Sequence, residues 1–351
     1  MQRPRPLWAL ALLFLRLILV EGCRPSRILV VGGSGRVGGS AVRALVKRLP
    51  QCKVDVGGRR YSTWEECKAR WRLDDSVGFV PIDIGLERDI RRVVADYDII
   101  VHTAGPFQGS RDPKLLREAL SLGLKYVDVC DDVPLSAICR SKEFQDLARR
   151  NKASAVISTG IWPGGSSLLA QQVIRGDLVG GHANVERVIF SFFTAGSGGA
   201  GPTILTATFL ILGEDVITYV DDVRVLKKSA TDPRVVNFGQ GIGDREVVRL
   251  SLIECESCHL SGVKSVETYF GTAPPFWNSL FAIMAKIIPQ KWLQNRQMMS
   301  NFALLSLPMV RLIDSFVGAA NGTHKLIFFK TNAYNFLQEF VSMWLRNKIM
   351  W

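Results

Sequence analysis

Four histidines occur in the 351 residues, and one of them, His102, stands just before the turn Thr103-Ala104-Gly105-Pro106-Phe107. Some twenty residues later comes Tyr126-Val127-Asp128-Val129-Cys130-Asp131-Asp132. A histidine titrates near neutral pH, and with a tyrosine or carboxylate at the same edge of a fold it can take or give a proton. His102, Tyr126, Asp128 and Asp131 are therefore the catalytic candidates, while Asp131 and Asp132 could also hold a substrate amine. The competing reading is structural. A histidine at a strand end is more often packed than catalytic, and acidic loop residues are usually solvated. Ser166, Thr194 and Thr203 are weaker candidates. None of these groups does more than manage a proton, so any redox chemistry must come from a bound cofactor that the chain positions.

Such a cofactor has an evident seat. Arg27-Ile28-Leu29-Val30-Val31-Gly32-Gly33-Ser34-Gly35-Arg36-Val37-Gly38-Gly39-Ser40 reads as a buried β-branched strand, a glycine turn and a helix. Gly33, Gly35 and Gly38 fit G-x-G-x-x-G, and Gly32, Gly35 and Gly38 fit an overlapping register. Glycines let the backbone turn sharply and approach a pyrophosphate, and the helix N-terminus then offers N–H groups and the positive dipole end. A second strand from Lys53 to Val56 closes the βαβ unit that makes the motif informative. That strand ends Gly57-Gly58-Arg59-Arg60, with its acid, Asp55, inside the strand rather than at the tip. An acid at the tip would bind the ribose 2′-hydroxyl of NAD. Arg59 instead suits a 2′-phosphate, with Arg36 as an aid, and points to NADP over NAD. The bland alternative leaves Arg59 and Arg60 as a solvated turn.

The elements needed to hold these residues recur along the chain. Strands are expected at Val77–Ile84, Asp98–His102, Lys125–Val129 and Ala153–Ser158, with helices between them, which implies a doubly wound parallel sheet. Asp83 and Ile84 fall where dinucleotide-binding sheets bracket the adenine ring, and Ala104, Gly105 and Pro106 fall at the same carboxyl edge of the sheet. Past Gly164 the character changes. Strands are expected at Val185–Thr194, Val223–Leu226, Val247–Ile253 and Val266–Phe270, and a helix at Thr203–Leu212. Phe276 to Ile288 is apolar nearly all round, which predicts a buried helix or, with Lys286 and Lys291 flanking it, contact with a membrane or lipid surface.

Composition excludes several classes. The net charge of +12 is concentrated at the ends, with +4 in residues 1–27 and +3 in residues 319–351. The middle has no basic cluster interleaved with aromatics, so nucleic acid is not an expected partner. Seven cysteines are an odd number in a long chain, and Cys255-Glu256-Ser257-Cys258 lacks the second ligand pair of a zinc site; ordinary thiols on a strand or loop are expected. Residues 1–26 have a basic start and an apolar run from Leu7 to Val20, broken by Arg16. A signal peptide, a short membrane anchor and a misread upstream exon all fit this layout.

The glycine turn Val30–Gly38, the turn His102–Phe107 and the stretch Tyr126–Asp132 together resemble the saccharopine dehydrogenase-like family. Phe192-Phe193-Thr194-Ala195-Gly196-Ser197-Gly198-Gly199-Ala200-Gly201-Pro202-Thr203 and Phe270-Gly271-Thr272-Ala273-Pro274 look most like its plant and algal branch, often plastid-associated. The resemblance spans about Arg27 to Gly318. It implies a Rossmann-type NAD(P)-binding domain over residues 27–160 and an α+β substrate domain with a mixed sheet over 161–318, with oxidoreductase chemistry on a small-molecule substrate. Cofactor contacts are expected from Gly32, Gly33, Ser34, Gly35, Arg36, Val37, Gly38, Arg59, Asp83, Ile84, Ala104, Gly105 and Pro106. Residues 319–351 fall outside the resemblance and read as a divergent or truncated tail, basic and aromatic, with no evident partner. The family holds lipid-acting reductases as well as saccharopine enzymes, so the cofactor site is carried over and the substrate is not. The rival expectations are a protein that binds NADP or a lipid surface without efficient turnover, and a chain that pairs with a second copy.

Overall fold

A computed structural model describes residues 27–175, 185–195, 201–239, 242–317, 323–332 and 335–346, with side chains as far as residue 313. The expected leader, residues 1–26, lies outside the described residues, as do residues 196–200 of the glycine-rich stretch. The chain divides into two compact units. The first runs as far as Gly165 without Pro106–Gly109, and that short piece groups with the second.

The first unit is a six-stranded, wholly parallel sheet with the order β3-β2-β1-β4-β5-β6. Its strands are β1 (Arg27–Val31), β2 (Lys53–Gly58), β3 (Gly78–Pro81), β4 (Ile99–His102), β5 (Lys125–Asp128) and β6 (Ser154–Val156). The helices between them are α1 (Arg36–Arg48), α2 (Tyr61–Trp71), α3 (Glu87–Val94), α4 (Lys114–Ser121), α5 (Val133–Cys139) and α6 (Lys142–Arg150). Ile28 to Val31 are all buried, as a central strand covered on both faces requires. Gly38, Val42 and Leu45 recur at helical spacing and turn one face of α1 onto the sheet, while Lys47 and Arg48 complement its C-terminal dipole. The strand order reverses between β1 and β4, and ligands of such sheets gather at the carboxyl ends of the strands there.

Two local expectations need correction. The third strand is shorter than Val77–Ile84 because the Asp83 carboxylate accepts the Gly85 N–H at 2.9 Å and bends the chain away. Helix α5 was not anticipated, although Asp132 ahead of Val133-Pro134 is a helix-start signal.

The second unit is built on a mixed eight-stranded sheet with the path β10-β11-β12-β7-β13-β14, from which β8 and β9 branch at β12. The strands are β7 (Arg187–Ala195), β8 (Val216–Val220), β9 (Val223–Lys227), β10 (Arg234–Asn237), β11 (Asp244–Arg249), β12 (Ser265–Ala273), β13 (Thr323–Asn332) and β14 (Asn335–Arg346). β12 and β7 run parallel, and the other pairings are antiparallel. The helices are α7 (Gly165–Ile174), α8 (Pro202–Leu212), α9 (Ile253–His259), α10 (Phe276–Ile287), α11 (Gln290–Leu293) and α12 (Arg296–Val317). Phe209, Leu212, Met284, Leu293, Met299 and Ala303 form one core among α8, α10, α11 and α12.

Three readings change here. Residues 323–332 and 335–346, expected as a tail without a partner, form a hairpin whose β13 pairs with β7 from Thr323 to Thr331. β13 takes the edge of β7 away from β12, and the pairing satisfies the N–H and C=O groups there. The Cys255–Cys258 pair lies on α9 rather than on a strand or loop, because β11 ends at Arg249. Helix α10 buries Trp277, Asn278 and Met284 but leaves Phe276, Ile283 and Ile287 exposed, so it is not buried all round. No helix among the described residues is long and apolar enough to cross a membrane.

Candidate functional site

The glycine turn at the end of β1 is shaped by what a side chain would displace. Gly32 sits at φ +80°, a left-handed backbone that favours glycine, and an added Cβ would lie 2.6 Å from the Ala104 backbone nitrogen. A Cβ on Gly38 would lie 2.2 Å from the Gly32 carbonyl and 2.6 Å from Thr103 Oγ1. The turn therefore packs closely against Thr103 and Ala104. The Gly35 N–H closes onto Gly32 O at 2.9 Å, and Thr103 fixes β4 to β1 by donating both its N–H and its hydroxyl to Val31 O. Helix α1 begins after Gly35 with no side-chain cap and no acid in its first turn. Its N-terminal N–H groups and positive dipole end are therefore not met by a capping side chain or a first-turn acid. Burial and the nearby Arg70 lower the pKa of Arg36 at this end of the helix.

The second strand delivers Arg59 to the same edge. Arg59 is exposed just after β2 ends at Gly58, and Ser34 lies against Gly58, since a Cβ there would be 3.1 Å from its hydroxyl. Asp55 is buried inside the strand, where it accepts the Tyr97 hydroxyl at 3.0 Å and the Gly78 N–H at 3.2 Å. Its carboxylate is spent on holding β2 to its neighbours. Asp83 is spent in its turn with Gly85, and Ile84 beside it is half-buried. Pro106 belongs to the second unit, where its carbonyl accepts from Arg296 Nη2 at 2.9 Å.

His102, Tyr126 and Asp128 come together. His102 and Asp128 are register partners on β4 and β5, and Tyr126 shares a face with Asp128 two residues on. His102 Nδ1 lies 2.8 Å from the Tyr126 hydroxyl. Asp128 is buried and accepts the Ser158 N–H at 2.7 Å and the Cys130 N–H at 3.0 Å. Ser158 is held there at φ 60°, strained for a non-glycine residue. Burial pushes His102 down to about 4, against a backbone hydrogen bond at Ala104, so its imidazole is neutral at pH 7. Burial and the Asp128 charge push the Tyr126 hydroxyl well up. Burial also raises Asp128, although the Ser158 and Cys130 N–H groups oppose it.

The other candidates fall elsewhere. Asp132 is buried and caps α5 by accepting the Leu135 N–H at 2.6 Å, with Arg111 at 3.4 Å from the same oxygen. One of its carboxylate oxygens is thus engaged in a structural contact. Asp131, beside it, is half-buried. Ser166 is buried in the second unit and donates to Glu254 Oε1 at 2.6 Å. Thr194 lies in register between Thr272 and His324, and Thr203 is exposed in the first turn of α8. Cys255 and Cys258 are buried thiols; burial pushes Cys258 up to about 12 and Cys255 further. Thr103 and Ser158 were missed. Thr103 stood inside the recognised turn, whereas nothing in the sequence marks Ser158 as a left-handed residue bonded to Asp128.

The fold is shared with an apo saccharopine dehydrogenase (L-Glu forming) from Saccharomyces cerevisiae, at a TM-score of 0.56 and 11% identity over 87% of this chain and 81% of that one. A short-chain dehydrogenase/reductase from Veillonella parvula, solved with NADP, matches 38% of this chain and 68% of its own at TM-score 0.27 and 10% identity. A yeast methylglyoxal/isovaleraldehyde reductase solved with NADPH matches 37% of this chain and 56% of its own, at TM-score 0.27 and 18% identity. No family profile matches the sequence, and no curated protein does.

Proposed function

We propose that this chain, which has the fold of a saccharopine dehydrogenase-type oxidoreductase, binds NADP(H) and moves a hydride to or from a small molecule whose identity is unassigned. The observation that carries the reading is the cradle: Gly32 at φ +80° and Gly38 against the Gly32 carbonyl, beneath the uncapped start of α1. The residues present fit a dinucleotide, since side chains are excluded where a pyrophosphate must approach. The bound cofactor would supply the hydride donor or acceptor. Gly33, Ser34, Gly35 and Val37 line the turn, and Arg59 holds the 2′-phosphate that NAD lacks. His102, neutral at pH 7, takes a proton rather than giving one, with Tyr126 and Asp128 behind it.

Titration of the full chain with NADPH tests this. Gly35→Asp is the informative variant, because its Cβ would meet only Gly32 O, at 3.2 Å, while its carboxylate faces the pyrophosphate. Binding is expected to weaken by about a hundredfold or more, as like charges in a shared site require; unchanged affinity would sink the assignment. A second reading, NADP binding without efficient turnover, draws on the structural use of Asp132 and the depressed basicity of His102. Tight NADPH binding with no oxidation across carbonyl and imine substrates would favour it.

A further inference from the structure

The face of the second unit formed by α10, α11 and α12 is apolar and exposed, and its charge is mainly positive. Along α12, Met298, Phe302, Leu305, Met309 and Leu312 recur at intervals of four and three, so they line one flank of the helix. The buried stripe Met299, Ala303, Leu307 and Val310 occupies a different face and packs toward α8. Leu305 is 79% exposed, and Ile287 of α10 and Trp292 of α11 are 72% and 56% exposed. Monomeric proteins rarely leave so many large apolar side chains together in water.

Charge decides what covers them. From Phe276 to Val317, the span of the three helices, the sequence contains Lys286, Lys291, Arg296 and Arg311 against a single acid, Asp314 near the end of α12. All four cations are exposed. A second copy docked on this face would bring four more cations and only one more acid to meet them. A bilayer containing anionic lipid offers what the face lacks: acyl chains for the leucines and methionines, and negative headgroups for the cations. An exposed tryptophan at the rim suits the interfacial zone. The absence of a spanning helix among the described residues fits a surface-lying arrangement.

We propose that the α10–α12 face docks the protein on an anionic membrane surface, with the α12 stripe inserted and Lys286, Lys291 and Arg311 at the headgroups. Flotation of the full chain with phosphatidylcholine vesicles, with and without phosphatidylserine, tests it. Residues 1–26 are common to all variants, so differences among them report this face. Wild type is expected to float with the anionic vesicles and to be released by salt. Leu305→Asp should reduce the bound fraction about tenfold. Lys286→Glu with Lys291→Glu should remove the preference for phosphatidylserine. Thermal unfolding and NADPH titration of each variant check that it is folded. Equal flotation of all variants would overturn the proposal, as would a wild-type chain that ignores anionic lipid. A salt-resistant dimer abolished by Leu305→Asp would also overturn it, because the occupant would then be a second copy.

Discussion

The carboxyl edge of the parallel sheet and the interior of the mixed sheet handle polar groups in opposite ways. At the edge of the first sheet, glycines remove side chains, and α1 starts without a cap, so backbone donors are left facing outward. In the mixed sheet a group of buried charges is answered within the protein. Arg249 bonds Glu267 at 3.2 Å and also pairs with Asp232, Arg187 reaches Glu267 at 2.9 Å, and the Tyr269 hydroxyl donates to Asp232 at 2.7 Å. Burial pushes Glu267 up, but Arg187, Arg234 and Arg249 outweigh it and hold the carboxyl low. The Tyr269 hydroxyl, with Arg249 and Arg234, holds Asp232 at about 2. A region whose charges are internally matched builds structure, and a region whose donors are left over waits for a ligand.

The largest expected effect comes from unbalancing the matched region. Arg249→Met removes the buried partner of Glu267 and leaves it only the more exposed Arg187 and Arg234. Breaking one side of a buried pair destabilises by roughly 3–5 kcal/mol. Denaturant titration should show that loss, while NADPH affinity of the folded protein stays as it was. A loss below about 1 kcal/mol would mean that the network behaves as a surface one and would erase the contrast.

Arg59→Glu probes the waiting region. NADPH affinity should fall about ten- to a hundredfold, the equivalent of roughly 1.5–3 kcal/mol for a lost charge-assisted hydrogen bond, with NADH binding much less affected. Stability should not change, since Arg59 is exposed and makes no ion pair among the described residues. Equal losses for the two cofactors would remove Arg59 as the discriminator.

The same contrast explains what the sequence disclosed. The glycine turn, the A-G-P-F segment and the interior place of Asp55 are local patterns, and each is legible because its geometry is fixed by neighbours in the chain. The pairing of Arg249 with Asp232, Glu267 with Arg187, and Ser166 with Glu254 joins residues 17 to 88 apart, and no local pattern announces it. The strands β8 and β10 and the β13–β14 hairpin were unread for a related reason: edge and branch strands are set by which backbone groups remain unpaired. At the site, the strand ends are legible, but the cap bond of Asp132 and the turn bond of Asp83 are not, because a cap and a turn use the same residue types as a binding loop.

Asp132→Ala separates those two uses at a smaller scale. Loss of an N-cap costs about 1 kcal/mol, so a drop in stability of that size is expected with no change in KM for an amine substrate. A raised KM at unchanged stability would return Asp132 to the set of ligand-facing groups and blur the line between the regions.

The smallest effect asks whether His102 belongs to the waiting region at all. In the unfolded chain its imidazole takes a proton near the ordinary 6.5, and in the fold only near about 4. Between those values the unfolded chain holds more protons, so this residue makes stability fall as pH falls and leaves it unaffected well above 6.5. From pH 7 to pH 6 the loss is about 0.7 kcal/mol. Asp232, held at about 2, gives up its own contribution only at lower pH, as the solution passes below its ordinary 3.8. Stability of the wild type and of His102→Asn, measured across this window, should therefore diverge, with the variant flatter by about that amount. Bound NADPH should leave the difference unchanged if burial alone sets the imidazole. If cofactor binding instead lifts His102 toward neutrality, the histidine is tuned by the ligand and is part of the site's proton chemistry. Identical slopes for the two proteins would show a solvated imidazole, and the Tyr126 contact would then be too weak to hold it in place.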